Sequence, residues 1–71
     1  MNMDLLKENV GKEAVKLIED GQVVGLGTGS TTHFFIKHLG KRVQEEGLDI
    51  LGIPTSFQSL ILARESGIKI T

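Results

Sequence analysis

The chain has 71 residues, of which 39% are hydrophobic and 24% charged, and its formal net charge is −1. This is the composition of one small globular domain, and without a basic block it argues against a nucleic acid partner. The sequence has no cysteine, and two histidines five residues apart do not make a metal-ligand set. The absence of cysteine fits a reducing, cytoplasmic setting. No apolar run is long enough for a signal peptide or a membrane span, so a soluble, unprocessed protein is expected.

The first segment is predicted to form an amphipathic helix that ends near Gly21, because its apolar residues recur at spacings of three and four. These residues are Leu5, Leu6, Val10, Ala14, Leu17 and Ile18. The short run Val23-Val24-Gly25-Leu26 follows, with β-branched residues between turn formers. It predicts a strand that is buried on both faces.

After a glycine-rich loop, helical spacing from Phe34 to Val43 predicts a second helix, which closes near Gly47. An apolar run over residues 48–53 predicts a second strand, and Ser56 can cap a third helix that Gly67 ends. Residues 68–70 begin a third apolar run.

The resulting order, αβαβαβ, predicts an α/β fold with a three-stranded parallel sheet and helices on its faces. That is half of a doubly wound, three-layer Rossmann-like domain. Residues 1–71 are therefore expected to be the N-terminal part of such a domain, truncated after its third strand.

The loop between the first strand and the second helix reads Gly-Leu-Gly-Thr-Gly-Ser-Thr-Thr over residues 25–32. Ligands of open α/β folds bind at this end of the strands. Glycines let backbone N–H groups approach a ligand, and Ser30, Thr31 and Thr32 add hydroxyl donors. The helix start adds unpaired N–H groups and the positive end of its dipole. An anion, most simply a phosphate, makes use of all of these donors.

Other interpretations of this loop can be weighed from spacing. A Walker loop places lysine directly before its Ser or Thr, where this chain has Gly29. A dinucleotide-binding loop that starts with Gly25 and Gly27 requires a third glycine at position 30, which is Ser30. Nucleotide cofactors are therefore disfavoured. A tight turn and helix cap that bind nothing remain an alternative.

Two sequence segments, taken together and in their order along the chain, make the sequence pattern specific to one family. Residues 24–31 and then Ile53-Pro54-Thr55-Ser56 after the next strand resemble the ribose-5-phosphate isomerase A family. The resemblance covers essentially the whole chain. It also includes Lys7 and Lys12 of the leading helix, the Asp20-Gly21 turn and Glu65-Ser66-Gly67-Ile68.

This resemblance implies an aldose-ketose isomerase that interconverts ribose 5-phosphate and ribulose 5-phosphate in the pentose phosphate pathway. Thr28, Gly29, Ser30 and Thr31 would form the substrate loop, and Lys7 would add a positive charge, although a solvated lysine explains it equally well. Thr55 and Ser56 would shape the pocket or, more simply, cap the third helix. The resemblance implies no metal or organic cofactor, and it implies that the protein forms a homo-oligomer.

The resemblance also implies that this chain lacks the catalytic base. In that family the general base is a glutamate downstream of the matching segment, so no catalytic residue is assigned within this chain and the 71 residues alone are predicted to be inactive. His33 and His38 have no partner acid at a recognisable spacing and are interpreted as surface or packing residues.

Two further classes of function remain open from the sequence. The sugar-phosphate-sensing domains of bacterial transcription regulators resemble this chain around a glycine-rich loop and would use the loop to bind an effector without catalysis. A purely structural half-domain that waits for a partner chain is the other alternative. It predicts an exposed sheet edge and no stabilisation by phosphate.

Overall fold

The computed structural model describes residues 3–71, apart from the side chain of Asp4. Its elements are α1 (Met3–Val15), β1 (Val23–Leu26), α2 (Ser30–Glu46), β2 (Leu51–Pro54) and α3 (Phe57–Glu65). The α/β class and the predicted order of these five elements are confirmed. No helix among residues 3–71 has both the length and the apolar character that crossing a membrane requires.

The sheet is parallel and small. Strand β1 pairs with β2 in a register that places Val24 opposite Gly52 and Leu26 opposite Pro54. The predicted third strand is reduced to one parallel bridge between Gly52 and Ile70. The Gly52 N–H donates to the Lys69 carbonyl at 2.7 Å, and the Thr71 N–H donates to the Gly52 carbonyl at 3.1 Å. Strand β2 therefore lies between β1 and the segment that ends at Ile70.

The hydrophobic core lies on one face of this sheet. Residues from the strands, from all three helices and from the connecting segments share it, namely Val15, Val24, Leu26, Ile36, Leu39, Leu48, Ile50, Ala63 and Ile68. Gly52 belongs to the same face, because a Cβ there would lie 2.8 Å from Leu26 Cδ1. In the described structure, helices α2 and α3 therefore pack against the same side of the strands.

The opposite sheet face is exposed, so the prediction that β1 is buried on both faces was wrong for the described chain. Val23, Leu51 and Ile53 are 58%, 40% and 43% exposed. Successive strand residues point to opposite faces, and β1 accordingly alternates between exposed and buried residues. An apolar run in the sequence cannot show whether anything covers its second face.

Helix α1 packs on α2 through a face other than the predicted stripe. Leu5, Leu6, Val10 and Leu17 are all exposed, whereas Gly11 is buried. A Cβ at Gly11 would lie 2.9 Å from the backbone nitrogen of Phe35. The two helices approach each other at this glycine, and close backbone contact decides which face of α1 is covered.

The end of α1 is held by a side chain of α2. The helix stops at Val15, earlier than Gly21, and residues 16–18 continue as i to i−3 turns. Arg42 Nη1 donates to the carbonyl oxygens of Val15 and Ile18 at 2.7 and 2.8 Å. A cation that satisfies the last carbonyls of a helix also complements its dipole.

Candidate phosphate-binding site at the start of helix α2

The parallel register brings two loops to one edge of the sheet. Leu26 ends β1 opposite Pro54, which ends β2. The carboxyl ends of parallel strands lie at the same edge, so the glycine loop at residues 27–29 and the segment Thr55-Ser56 are neighbours there. Each loop leads directly into a helix, so two helix N-termini also meet at this edge.

Helix α2 begins in a conformation that requires glycine. Gly29 is its N-cap residue, with φ 105° and ψ 163°. Residues other than glycine essentially never adopt this combination of φ and ψ. None of the described side chains caps this helix start, and the first N–H groups of an α-helix have no acceptor within the helix. The amides of the first turn are therefore available to a ligand.

The hydroxyl residues of this helix start lie at the surface of the same loop. Thr28 and Ser30 are exposed, and Thr31 and Thr32 are half-buried. The predicted residues Thr28, Gly29, Ser30 and Thr31 are thus consecutive around the N-terminus of α2. Peptide N–H groups, hydroxyls and the positive end of the helix dipole converge here, an arrangement suited to an oxyanion.

A hydrogen-bonded segment of β2 and α3 supports the loop from the other side. Thr55 Oγ1 donates to the Leu26 carbonyl at 2.9 Å, and Ser59 Oγ donates to the Gly27 carbonyl at 3.0 Å. Ser56 caps α3, since its Oγ accepts the Ser59 N–H at 3.1 Å. The predicted cap at Ser56 is confirmed, and Thr55 acts on the loop backbone.

The glycine loop borders a cleft of about 390 Å³ between α2 and α3. Residues 27–29 form one part of its lining, and His33 of α2 together with Gln58 and Glu65 of α3 contribute polar groups elsewhere. A space of this size is in the range of small-molecule sites. His33 is exposed and makes an edge-to-face contact with the Phe34 ring, with the ring centroids 5.7 Å apart.

Of the five predicted site residues, Thr28 and Gly29 line this cleft, whereas Ser30, Thr31 and Lys7 do not. Ser30 and Thr31 follow Gly29 directly in the first turn of α2, but Lys7 is on another helix. It is half-buried on α1, four residues before Gly11, where α1 touches the backbone of Phe34 and Phe35. The structure thus brings four of the five predicted site residues together and places the fifth on a neighbouring helix. Within residues 3–71, His, Asp and Glu side chains form no group of three that could hold a metal ion.

Sequence reasoning missed Ser59, Gln58 and Glu65 as neighbours of the site. Ser59 stands three residues after the Ser56 cap, a position from which a polar side chain can reach back toward the helix start. That spacing was visible in the sequence. Its partner, the Gly27 carbonyl, was not, because it lies 32 residues away and is reached only through the folded sheet.

Fold and site together define an α/β protein with a glycine-rich loop, a candidate anion site, at the carboxyl end of a parallel strand. No protein-family model matches the chain. It is 64% identical over 66 residues to ribose-5-phosphate isomerase A of Methanothermobacter thermautotrophicus, covering 93% of this chain and 29% of that protein. It is 55% identical over 71 residues to ribose-5-phosphate isomerase A of Thermococcus kodakarensis, covering 99% of this chain and 31% of that one.

Solved structures show the same likeness. Ribose 5-phosphate isomerase A from Methanocaldococcus jannaschii superposes with a TM-score of 0.96 at 51% identity, over 99% of this chain and 31% of that chain. A D-ribose-5-phosphate isomerase in complex with phospho-erythronic acid superposes with a TM-score of 0.95 at 50% identity, over 100% of this chain and 31% of that chain. In sequence and fold, nearly the whole of this chain is similar to the N-terminal part of ribose-5-phosphate isomerase A.

The chain spans about 30% of the length of the curated relatives it matches. It also spans about 30% of the length of the matching chains in the solved structures. The names of those proteins therefore describe molecules that are much longer than these 71 residues.

Proposed function

We propose that this chain is the phosphate-binding segment of a ribose-5-phosphate isomerase, which interconverts D-ribose 5-phosphate and D-ribulose 5-phosphate. The observation that carries the proposal is the start of α2 at Gly29, which none of the side chains described in the structure caps, in a chain that matches isomerases of that name over nearly its whole length. A relative of similar fold is known in complex with a phosphorylated sugar acid.

In this proposal Ser30 and Thr31 donate to the phosphate together with the first-turn amides of α2. Thr28 and Gly29 shape the loop around it. Binding of the phosphate holds the end of the sugar that lies away from the reacting carbons. It thereby positions the substrate and supplies binding energy remote from the reaction. The isomerisation itself moves the C2 proton of the open-chain aldose to C1 through an enediol, while the proton of the C2 hydroxyl is lost and the C1 oxygen gains one. A carboxylate base is expected to carry the proton between the two carbons.

We assign no residue of this chain to proton transfer. The loop offers hydroxyls and amides, which bind an anion but are poor bases near neutral pH. The 71 residues alone are therefore predicted to bind the sugar phosphate without isomerising it. No metal or organic cofactor enters the proposal.

Lys7 is the remaining assigned residue. The end of α1 and the second half of α2 line a common cleft, through Lys12 and Val15 on one side and Lys41 and Arg42 on the other. Gly11 packs against Phe34 and Phe35. Lys7 lies one turn before Gly11 on α1, and the adjacent Glu8 contacts His38 Nε2 of α2 at 3.3 Å. A lysine there adds a point charge near the phosphate without contacting the loop closely.

We further infer that residues 1–71 are the N-terminal part of a larger Rossmann-like domain with three layers. The exposed apolar face formed by Val23, Leu51 and Ile53 supports this inference, because parallel sheets normally have both faces covered. The greater length of the relatives supports it as well. A homo-oligomer and a cytoplasmic setting are proposed from the family resemblance.

An exchange of segments tests the function directly. Residues 1–71 replace the matching segment of the Methanothermobacter thermautotrophicus enzyme, with and without Ser30→Ala, and conversion of ribose 5-phosphate is measured. The chimera is expected to be active, and Ser30→Ala is expected to raise its KM. The isolated chain is expected to show no turnover. A folded chimera without activity would overturn the proposal, as would unchanged kinetics in the Ser30→Ala chimera.

The same chimera separates the alternatives. An effector-sensing domain would retain binding of the sugar phosphate without supporting turnover in the isomerase framework. A purely structural half-domain would support neither binding by the chain nor sensitivity to Ser30→Ala. The named relatives favour the isomerase.

A further inference from the structure

Ser59 occupies an unusual position for a polar side chain in this chain. It is 3% exposed and is the buried polar residue of the described core region. Its hydroxyl reaches 32 residues back along the sequence to the Gly27 carbonyl, at 3.0 Å. Gly27 lies two residues before Gly29, where α2 begins. A buried hydroxyl of α3 is thus attached to the backbone of the glycine loop.

The direction of the hydrogen bonds around Ser59 follows from counting protons. Its Oγ–H points to the Gly27 carbonyl, which can only accept. The 2.6 Å contact between the hydroxyls of Ser56 and Ser59 must therefore be donated by Ser56. Ser56 Oγ in turn accepts the Ser59 N–H at 3.1 Å. This closed arrangement leaves the Ser59 hydroxyl a single orientation, aimed at the loop.

The neighbouring carbonyl, that of Leu26, is held differently. It accepts both the Thr55 N–H at 3.0 Å and Thr55 Oγ1 at 2.9 Å. The loss of the Thr55 hydroxyl would leave the backbone bond in place. Among the described residues, the hydrogen bond recorded to the Gly27 carbonyl comes from Ser59 alone. The hydroxyls of Thr55 and Ser59 thus bind neighbouring carbonyls of the same loop. The carbonyl that Thr55 binds also accepts a backbone N–H, and the one that Ser59 binds is held by its hydroxyl.

We propose that Ser59 is a positioning residue for the phosphate loop. By holding the Gly27 carbonyl it fixes the turn that precedes Gly29, and so keeps the α2 amides and the hydroxyl of Ser30 aimed at one point before ligand arrives. The inference rests on the proposed function for its ligand, but not for the ordering of the loop. A loop that is competent for only part of the time binds more weakly in proportion to that fraction.

The test uses the 15N-labelled chain as wild type, Ser59→Ala, Thr55→Val and Ser56→Ala. Two quantities are measured for each: backbone order parameters of residues 27–29 without ligand, and affinity for inorganic phosphate and for ribose 5-phosphate. Ser59→Ala is expected to lower the order parameters and to reduce the affinity for both ligands about threefold to tenfold, which is the effect of one net hydrogen bond. Thr55→Val and Ser56→Ala are expected to change affinity less than about twofold, since both retain the Ser59 bond to Gly27.

Each outcome decides the proposal. Unchanged order parameters and affinity in Ser59→Ala would overturn it. Equal losses in Ser56→Ala would also overturn it, by showing that general loosening of α3 is responsible. If the wild type binds neither ligand, the proposed function fails, while the order parameters still decide whether Ser59 fixes the loop. If Ser59→Ala does not fold, Ser59→Cys, which is close in size and a weak donor, provides the same measurements.

Discussion

Helices α2 and α3 start at the same edge of the sheet, each directly after a parallel strand and each beside hydroxyl residues, yet their first turns are used differently. At α3, Ser56 accepts the Ser59 N–H, and the hydroxyl of Ser59 is bonded to the loop. At α2 the cap is Gly29, no side chain in the described part of the chain caps the helix, and Ser30 is exposed. Hydroxyls at a helix start stabilise the fold when they cap it and are available to a ligand when they do not. Under the proposed function, the start of α3 stabilises the fold and the start of α2 binds the ligand.

The largest effect is expected from Gly29→Ala. Its φ of 105° with ψ of 163° is a region essentially restricted to glycine, so the free energy of unfolding should fall by about 2 kcal/mol and phosphate binding should be lost. Denaturant unfolding with and without phosphate measures both. Gly25→Ala is the matched control, because a Cβ there meets nothing within 4 Å and φ is not positive. Equal losses in the two variants would contradict a special role for Gly29.

A change at Ser30 should affect binding without affecting the fold. Ser30→Ala removes a donor to a charged ligand, which should cost about 1.5 kcal/mol, or roughly tenfold in affinity for ribose 5-phosphate. Stability should change by less than about 0.5 kcal/mol, because the side chain is exposed and caps nothing. Titration calorimetry and thermal unfolding check the two parts separately. A variant that loses stability but keeps its affinity would reverse the assignment of the two helix starts.

Ser56→Ala should show the opposite pattern. The loss of the cap of α3 should lower the free energy of unfolding by about 1 kcal/mol, while affinity for phosphate stays within about twofold of the wild type. Ser56→Asp retains a capping acceptor and serves as the control, with stability expected close to that of the wild type. If Ser56→Ala abolished binding while leaving stability intact, the start of α3 would be part of the ligand site.

The smallest effect is expected from Lys7→Gln. The ammonium is on a half-buried residue of α1 and not on the loop itself, so its loss should weaken phosphate binding only about threefold, as for an isolated solvent-screened ion pair. The effect should shrink further in higher salt. Lys12→Gln, farther along the same helix, is the control. Identical small losses in both would reduce Lys7 to a share of the general surface charge.

The order of elements was readable from the sequence because hydrophobic spacing and glycine turns act locally. The cap at Ser56 was readable for the same reason. The cluster of four predicted site residues follows from one continuous loop, so its proximity was ensured once β1 and α2 were placed. These features depend on neighbours within a few residues along the chain.

What could not be predicted depends on tertiary contact. The covered face of α1 is selected by Gly11, which permits α2 to approach closely, and this left Leu5 and Leu6 exposed. The apolar residues of β1 do not reveal that Val23 faces outward. Ser59 gained its role from a carbonyl brought to it by the pairing of β1 with β2. None of these partners is adjacent in sequence.

The central claim, that the first turn of α2 binds phosphate, is tested most directly by mapping amide chemical shifts. The 15N-labelled chain is titrated with ribose 5-phosphate, inorganic phosphate and unphosphorylated ribose. The amides of residues 29–32 should shift with the two phosphate-bearing ligands and not with ribose, and those of residues 57–59 should shift much less. If a folded sample showed no shifts at millimolar phosphate, or showed its largest shifts at residues 57–59, the claim would be contradicted.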